Sequence, residues 1–128
     1  MDGEELRRRR EEVGLTADQV AECLGRVGPN RRWAVSRWER GERPIPLAEV
    51  SRLRTIFRKE RRKLAAFRRR LRDQLPALTP RQREVMSLRY GLNNGVMRTL
   101  EDVGQDTSPP MSRQRVSEIE QAVLKRLE

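Results

Sequence analysis

Apolar residues recur along this chain at helical intervals, and the breaks between them fall at Gly, Pro and short polar runs. Glu4 to Glu12 reads as a short helix. In Leu15-Thr16-Ala17-Asp18-Gln19-Val20 the Thr16 hydroxyl can accept from the Gln19 amide while Gln19 reaches back to the amide of Thr16. Leu15 and Val20 then sit at the two positions of a hydrophobic staple, and Gly25 supplies a left-handed stop after Leu24. Arg31 to Arg40 reads as a third helix ended by Gly41. Pro44 and Pro46 lead into a fourth, Leu47 to Phe57, with Val50, Leu53 and Phe57 on one side.

Phe57, Leu64, Phe67, Leu71 and Leu75 continue that spacing, so residues 58–74 read as an amphipathic helix, continuous with the fourth or separate from it. Its seam can be buried against either flanking domain or against a second copy of itself. Thr79-Pro80 has the cap-then-proline order of a helix start, and that helix runs through Val85 and Leu88 to Tyr90 before Gly91. Thr99 caps a short helix carrying Leu100 and Val103. Ser112 caps the last one, with Met111 and Val116 as its staple and Ile119, Val123 and Leu127 along one face. The expected fold is all-α: two small helical domains, 1–57 and 75–128, joined by the basic amphipathic helix 58–74.

Charge sharpens this picture. Hydrophobic residues make up 35% and charged residues 38%, which leaves no room for one large core. Of the net charge of +10, residues 58–74 supply most, with 9 basic and 2 acidic side chains. A concentrated basic stripe points to a polyanion, and nucleic acid is the commonest one. No apolar run reaches membrane length, and Met1-Asp2-Gly3-Glu4-Glu5 is acidic where a secretory leader would be basic. With no His and a single Cys, zinc sites and His-based catalysis lack their ligands and bases, and no Gly-rich phosphate loop is present. No metal, cofactor or enzymatic activity is expected, and the lone Cys23 fits a reducing compartment.

The small Ala21 on a capped helix, Gly25 four positions later and a following helix are the ingredients of a helix-turn-helix. Together, "LTADQVAECLG" and "VSRWERGER" resemble the Cro and phage-repressor type of helix-turn-helix domain over residues 4–57. The resemblance implies that Val35 and Trp38 pack inward, and that Arg32, Trp33, Ser36 and Arg37 face the DNA major groove. Arg31, Arg40 and Arg43 complete the candidate set. An Arg fork matches O6 and N7 of guanine. Trp33 is open to two readings, a core aromatic or a contact to base or sugar. The turn "RVGPNRRWA" is longer than the family's usual one.

"LTPRQREVMSLRYGL", "TLEDVG" and "SRQRVSEIEQAVLKRL" resemble region four of bacterial primary sigma factors over residues 75–127. In that family the last helix reads an upstream promoter element, and the preceding helices grip the flap of RNA polymerase. Carried over by position, Ser112, Arg113, Gln114, Arg115 and Ser117 are the DNA-reading candidates, and Leu78, Val85, Leu88, Tyr90 and Leu92 the polymerase-facing ones. Gln114, Ser117 and Glu118 depart from the family's usual acid, base and amide: the first changes which base is preferred, the other two remove contacts, and Glu118 sets a negative charge where DNA would approach. The chain has two Trp, one Tyr and two Phe, too few for the aromatic cluster that traps flipped bases during promoter opening.

These readings combine into a transcription regulator. The first domain would choose a promoter or operator, and Arg58, Arg61, Arg62, Arg68 and Arg69 would contact phosphates. The second domain would engage the polymerase flap or a resident sigma factor. The alternative is a polymerase- or sigma-binding adaptor, an antitermination or appropriation factor, with only non-specific DNA contacts. The expected partners are double-stranded DNA, RNA polymerase and a second copy of the chain in a homodimer, without a membrane. The expected setting is the cytoplasm, at the nucleoid, and fold-level analogy points to phage or mobile-element control.

Overall fold

Helix caps written into the sequence set the boundaries of the observed elements. The computed structural model describes residues 1–128 as seven helices without a strand, in two compact units, Met1–Leu64 and Ala65–Glu128. The fold is all-α with two helix-turn-helix domains.

The first unit holds α1 (Gly3–Glu12), α2 (Ala17–Cys23), α3 (Arg32–Glu39) and the N-terminal part of α4 (Leu47–Gln74). The capping box forms as expected: Thr16 Oγ1 accepts from the Gln19 amide at 3.1 Å, and Gln19 Oε1 accepts from the Thr16 amide at 2.8 Å. Leu6, Val20, Ala21, Val35, Trp38, Leu53 and Phe57 form the core. Burying a large apolar side chain contributes about 1.5–3 kcal/mol, so these few residues hold the unit together. Ala21 is fully buried, and its carbonyl accepts from the amide of Arg26 at 3.0 Å as the chain turns toward α3. Gly3 is required by contact: a Cβ there would lie 2.2 Å from the Trp38 carbonyl oxygen. This close approach seats the start of α1 on the end of α3.

The second unit holds the remainder of α4, a single tight turn at Leu75–Ala77, then α5 (Pro80–Tyr90), α6 (Leu100–Asp106) and α7 (Arg113–Leu127). Thr79, Thr99 and Ser112 cap α5, α6 and α7 as their sequence positions suggest. Its interior has two clusters, Leu71, Leu78, Met86 and Val123 in one and Val85, Val103, Val116 and Ile119 in the other. Gly104 does here what Ala21 does in the first unit. Its carbonyl accepts from the amide of Met111 at 2.9 Å, and a Cβ on it would lie 2.3 Å from the Met111 carbonyl oxygen.

The seam of the basic segment is divided between the two cores. Phe57 belongs to the first, Phe67, Leu71 and Leu75 to the second, and Leu64 is half-buried in neither. Residues 58–74 are therefore the middle and end of α4 and share in both units.

Candidate nucleic-acid interface

Helix α3 has two faces of opposite chemistry. Val35 and Trp38 point inward, at 0% and 5% exposure. Arg32, Trp33, Ser36, Arg37 and Arg40 line one open concavity on the outward side. Trp33 is 53% exposed and takes no part in the core, which resolves its two readings in favour of the surface. A second concavity adjoins it, lined by Arg26, Val27, Pro29, Trp33, Arg37 and Arg43 among others, and the Arg26 guanidinium stacks 5.3 Å from the Trp38 ring centre.

The only acid on α3 is held out of the way. Glu39 receives two hydrogen bonds from Arg10 on α1, at 2.7 and 2.9 Å, and Arg10 also donates to the Leu15 carbonyl at 3.0 Å. The side chains are 16% and 9% exposed, so this pair is largely out of water, and the Glu39 hydrogen bond is the main cause holding the Arg10 pKa above its ordinary value.

Arg31 is engaged within the first unit. Its guanidinium grips both carboxylate oxygens of Asp18, at 2.9 and 2.7 Å, with Glu22 at 3.6 Å. The Asp18 carboxyl is lowered in pKa, first by that hydrogen bond. Arg31 thus ties the long turn back to α2. Arg32, Arg37 and Arg43 form no salt bridge, and Arg40 pairs at 3.2 Å with the exposed Glu42.

Helix α7 is differently equipped. The Ser112 hydroxyl is spent on the cap, accepting from the Arg115 amide at 3.2 Å. Arg115 pairs with Glu118 at 3.3 Å, one helical turn on, while Arg113 and Gln114 are exposed and Ser117 is half-buried. Sequence reasoning missed a buried acid here. Glu120, 7% exposed, accepts from Arg89 Nε at 2.8 Å, and Arg89 also donates to the Arg98 carbonyl. Glu39–Arg10 and Glu120–Arg89 are thus the same device, a glutamate on the last helix of the motif clamped by an arginine from an earlier helix. Sequence offered little signal for either, since both acids look like solvated helix positions.

The basic half of α4 also divides. Arg58, Arg61, Arg62 and Arg69 are exposed and form no salt bridge. Arg68 is engaged within the second unit: Nε donates to the Tyr90 carbonyl at 2.6 Å and Nη2 to that of Gly95 at 3.1 Å. Burial lowers its pKa, and Arg72 adds to the effect. Arg72 donates to the Leu92 carbonyl at 3.0 Å, and Arg70 to that of Leu127. Tyr90 and Leu127 end α5 and α7, where carbonyls lack helical partners and a cation is favoured. These arginines close helix ends.

Two of the polymerase-facing candidates, Leu78 and Val85, are interior, a correction to their expected outward place. Leu78 and Val85 are core residues at 5% and 0% exposure, and Leu88, Tyr90 and Leu92 pack partly buried against the two clusters. The Tyr90 ring lies 4.6 Å from that of Phe67, and burial, with Glu120 second, pushes its hydroxyl pKa up to about 12. Leu78 and Val85 shape the domain from within and cannot form its outer face.

Family comparison decides what these two units are. Residues 6–64 match the helix-turn-helix family, and residues 75–128 match sigma-70, region 4. The first unit thus carries a match to a helix-turn-helix domain and the second a match to a sigma-70 region 4 domain. Both are families of DNA-binding regulatory domains, and neither is one of enzymes. The chain is similar to RNA polymerase sigma factor SigA of Microcystis aeruginosa, 44% identical over 57 residues, or 44% of this chain and 13% of that one. SigA of Clostridium acetobutylicum is 43% identical over 67 residues, 49% of this chain and 17% of the relative. The probable RNA polymerase sigma-C factor of Synechocystis sp. is 30% identical over 117 residues, 91% of this chain and 28% of the relative, so this similarity extends into the helix-turn-helix domain. The chain spans between 13% and 28% of the length of these relatives. No solved structure matches. No helix is long and apolar enough to cross a membrane, and no group of three His, Cys, Asp or Glu side chains could hold a metal.

Proposed function

We propose that this protein is a DNA-anchored transcription regulator: its helix-turn-helix domain selects promoter or operator DNA, and its sigma-like domain engages RNA polymerase. One observation carries the reading. The outward face of α3 gathers Arg32, Ser36, Arg37 and Arg40 around Trp33, while the helix's only acid is sequestered by Arg10. A cationic, hydrogen-bonding helix face on which only Arg40 has a carboxylate partner, the exposed Glu42 beyond the helix end, suits the edges and phosphates of a major groove. Arg58, Arg61 and Arg62 in the first unit and Arg69 in the second, all exposed on α4, are further phosphate contacts. The sequence similarity to sigma factors supports polymerase as the second partner.

A second reading has its own support. The Arg115–Glu118 pair and the cap duty of Ser112 leave α7 poorly supplied for reading bases, which favours a protein contact for the sigma domain. In the extreme form the protein is an adaptor whose DNA contacts are all non-specific.

Footprinting on promoter fragments with and without polymerase separates the two. Arg32→Ala and Arg37→Ala should each weaken protection by about 5- to 150-fold, the worth of one bidentate base contact. Protection indifferent to both variants, with polymerase still retained, would leave only the adaptor.

A further inference from the structure

Trp33 is an unexpected residue to find on the outward side of α3. The core does not use it: Val35 and Trp38 fill that role, and Trp33 remains 53% exposed. In the concavity it shares with Arg32, Ser36, Arg37 and Arg40 it is the one large apolar side chain among guanidiniums and a hydroxyl. It also forms a wall of the neighbouring concavity, beside Pro29, Arg37 and Arg43. An indole held in that position offers a broad apolar surface and a single N–H donor, with no acceptor.

We infer that Trp33 reads thymine. Resting on the proposal that α3 enters the major groove, the assignment follows from the chemistry of base edges. Guanine and adenine present no methyl group, and cytosine presents a donor that the indole N–H cannot satisfy. Thymine alone sets an acceptor, O4, beside an apolar 5-methyl group. Both halves of the indole find a partner there. Arg32 and Arg37, on either side of it in sequence, are suited to guanine. The preferred site therefore contains a fixed thymine with guanine close by.

The test uses the full chain and a randomised duplex library. Selected sites should share a thymine, and replacing it with uracil, which removes only the methyl, should weaken binding by about threefold to fourfold, the worth of one buried methyl group. In Trp33→Ala the same replacement should cost nothing, whereas Trp33→Phe should keep the sensitivity. Because Trp33 lies outside the core, both variants should unfold at the wild-type temperature. An enriched site with no fixed thymine, or a uracil penalty equal in wild type and Trp33→Ala, overturns the assignment. A library that enriches no sequence at all overturns the major-groove proposal beneath it.

Discussion

Helices α3 and α7 hold the same place in two helix-turn-helix motifs, and each carries a clamped glutamate, yet they leave different chemistry exposed. On α3 the acid is internal and Arg32 and Arg37 stand without an ionic partner. On α7 a second acid, Glu118, lies one turn from Arg115 and pairs with it. An exposed pair of this kind adds little stability, about 0–1 kcal/mol, so its main effect is on what α7 can offer to a ligand. A shared scaffold thus tolerates opposite functional surfaces, because the clamp and the small-residue crossing lie on the inner side and the distinguishing residues on the outer.

That comparison can be broken at the shared clamp. Glu39→Ala and Glu120→Ala each strand an arginine in a mostly buried position, and each should destabilise its own domain by about 2–4 kcal/mol in chemical denaturation. Two transitions of which only one moves in each variant would fit; an unshifted curve for either would remove the parallel.

A smaller effect separates the two kinds of arginine on α4. Neutralising Arg58, Arg61 and Arg62 to Gln should flatten the plot of log affinity against log salt by about 2.7, at about 0.9 per phosphate. Arg68→Gln and Arg72→Gln should leave that slope unchanged and lower the unfolding temperature of the second domain instead. A slope that responds equally to both sets would mean that the carbonyl contacts do not hold Arg68 and Arg72 in solution.

The smallest change is expected at α7. Glu118→Gln releases Arg115 and removes a charge facing outward, so non-specific DNA affinity at low salt should rise by about twofold to fivefold, in keeping with an exposed pair worth up to about 1 kcal/mol. No change in a fluorescence titration would mean that α7 does not approach DNA at all.

The helix starts were legible because their chemistry is local. Thr16, Thr79, Thr99 and Ser112 each accept from an amide three residues ahead, a distance the sequence displays directly. The family patterns placed Val35 and Trp38 inside and Arg32 outside for a similar reason, since one helix turn separates the two faces. What the sequence concealed depends on distant partners. Arg31 and Arg68 look like neighbouring free cations until Asp18 and the Tyr90 carbonyl, 13 and 22 residues away, come into reach. Leu78 and Val85 illustrate a different blindness. An apolar position on a helix has the same spacing whether it fills an interior or is offered to a partner, and only packing distinguishes them.

The grip of α4 on the second unit bears on where the gene can be cut. A fragment starting at residue 75, where the sigma match begins, would lack Phe67 and Leu71 and expose Leu78, Met86 and Val123 to water. It would also strand the terminal carbonyls of α5 and α7 that Arg68 and Arg70 now satisfy. Expression of the isolated half should therefore begin at Ala65, so that the excised piece keeps the strut that closes it.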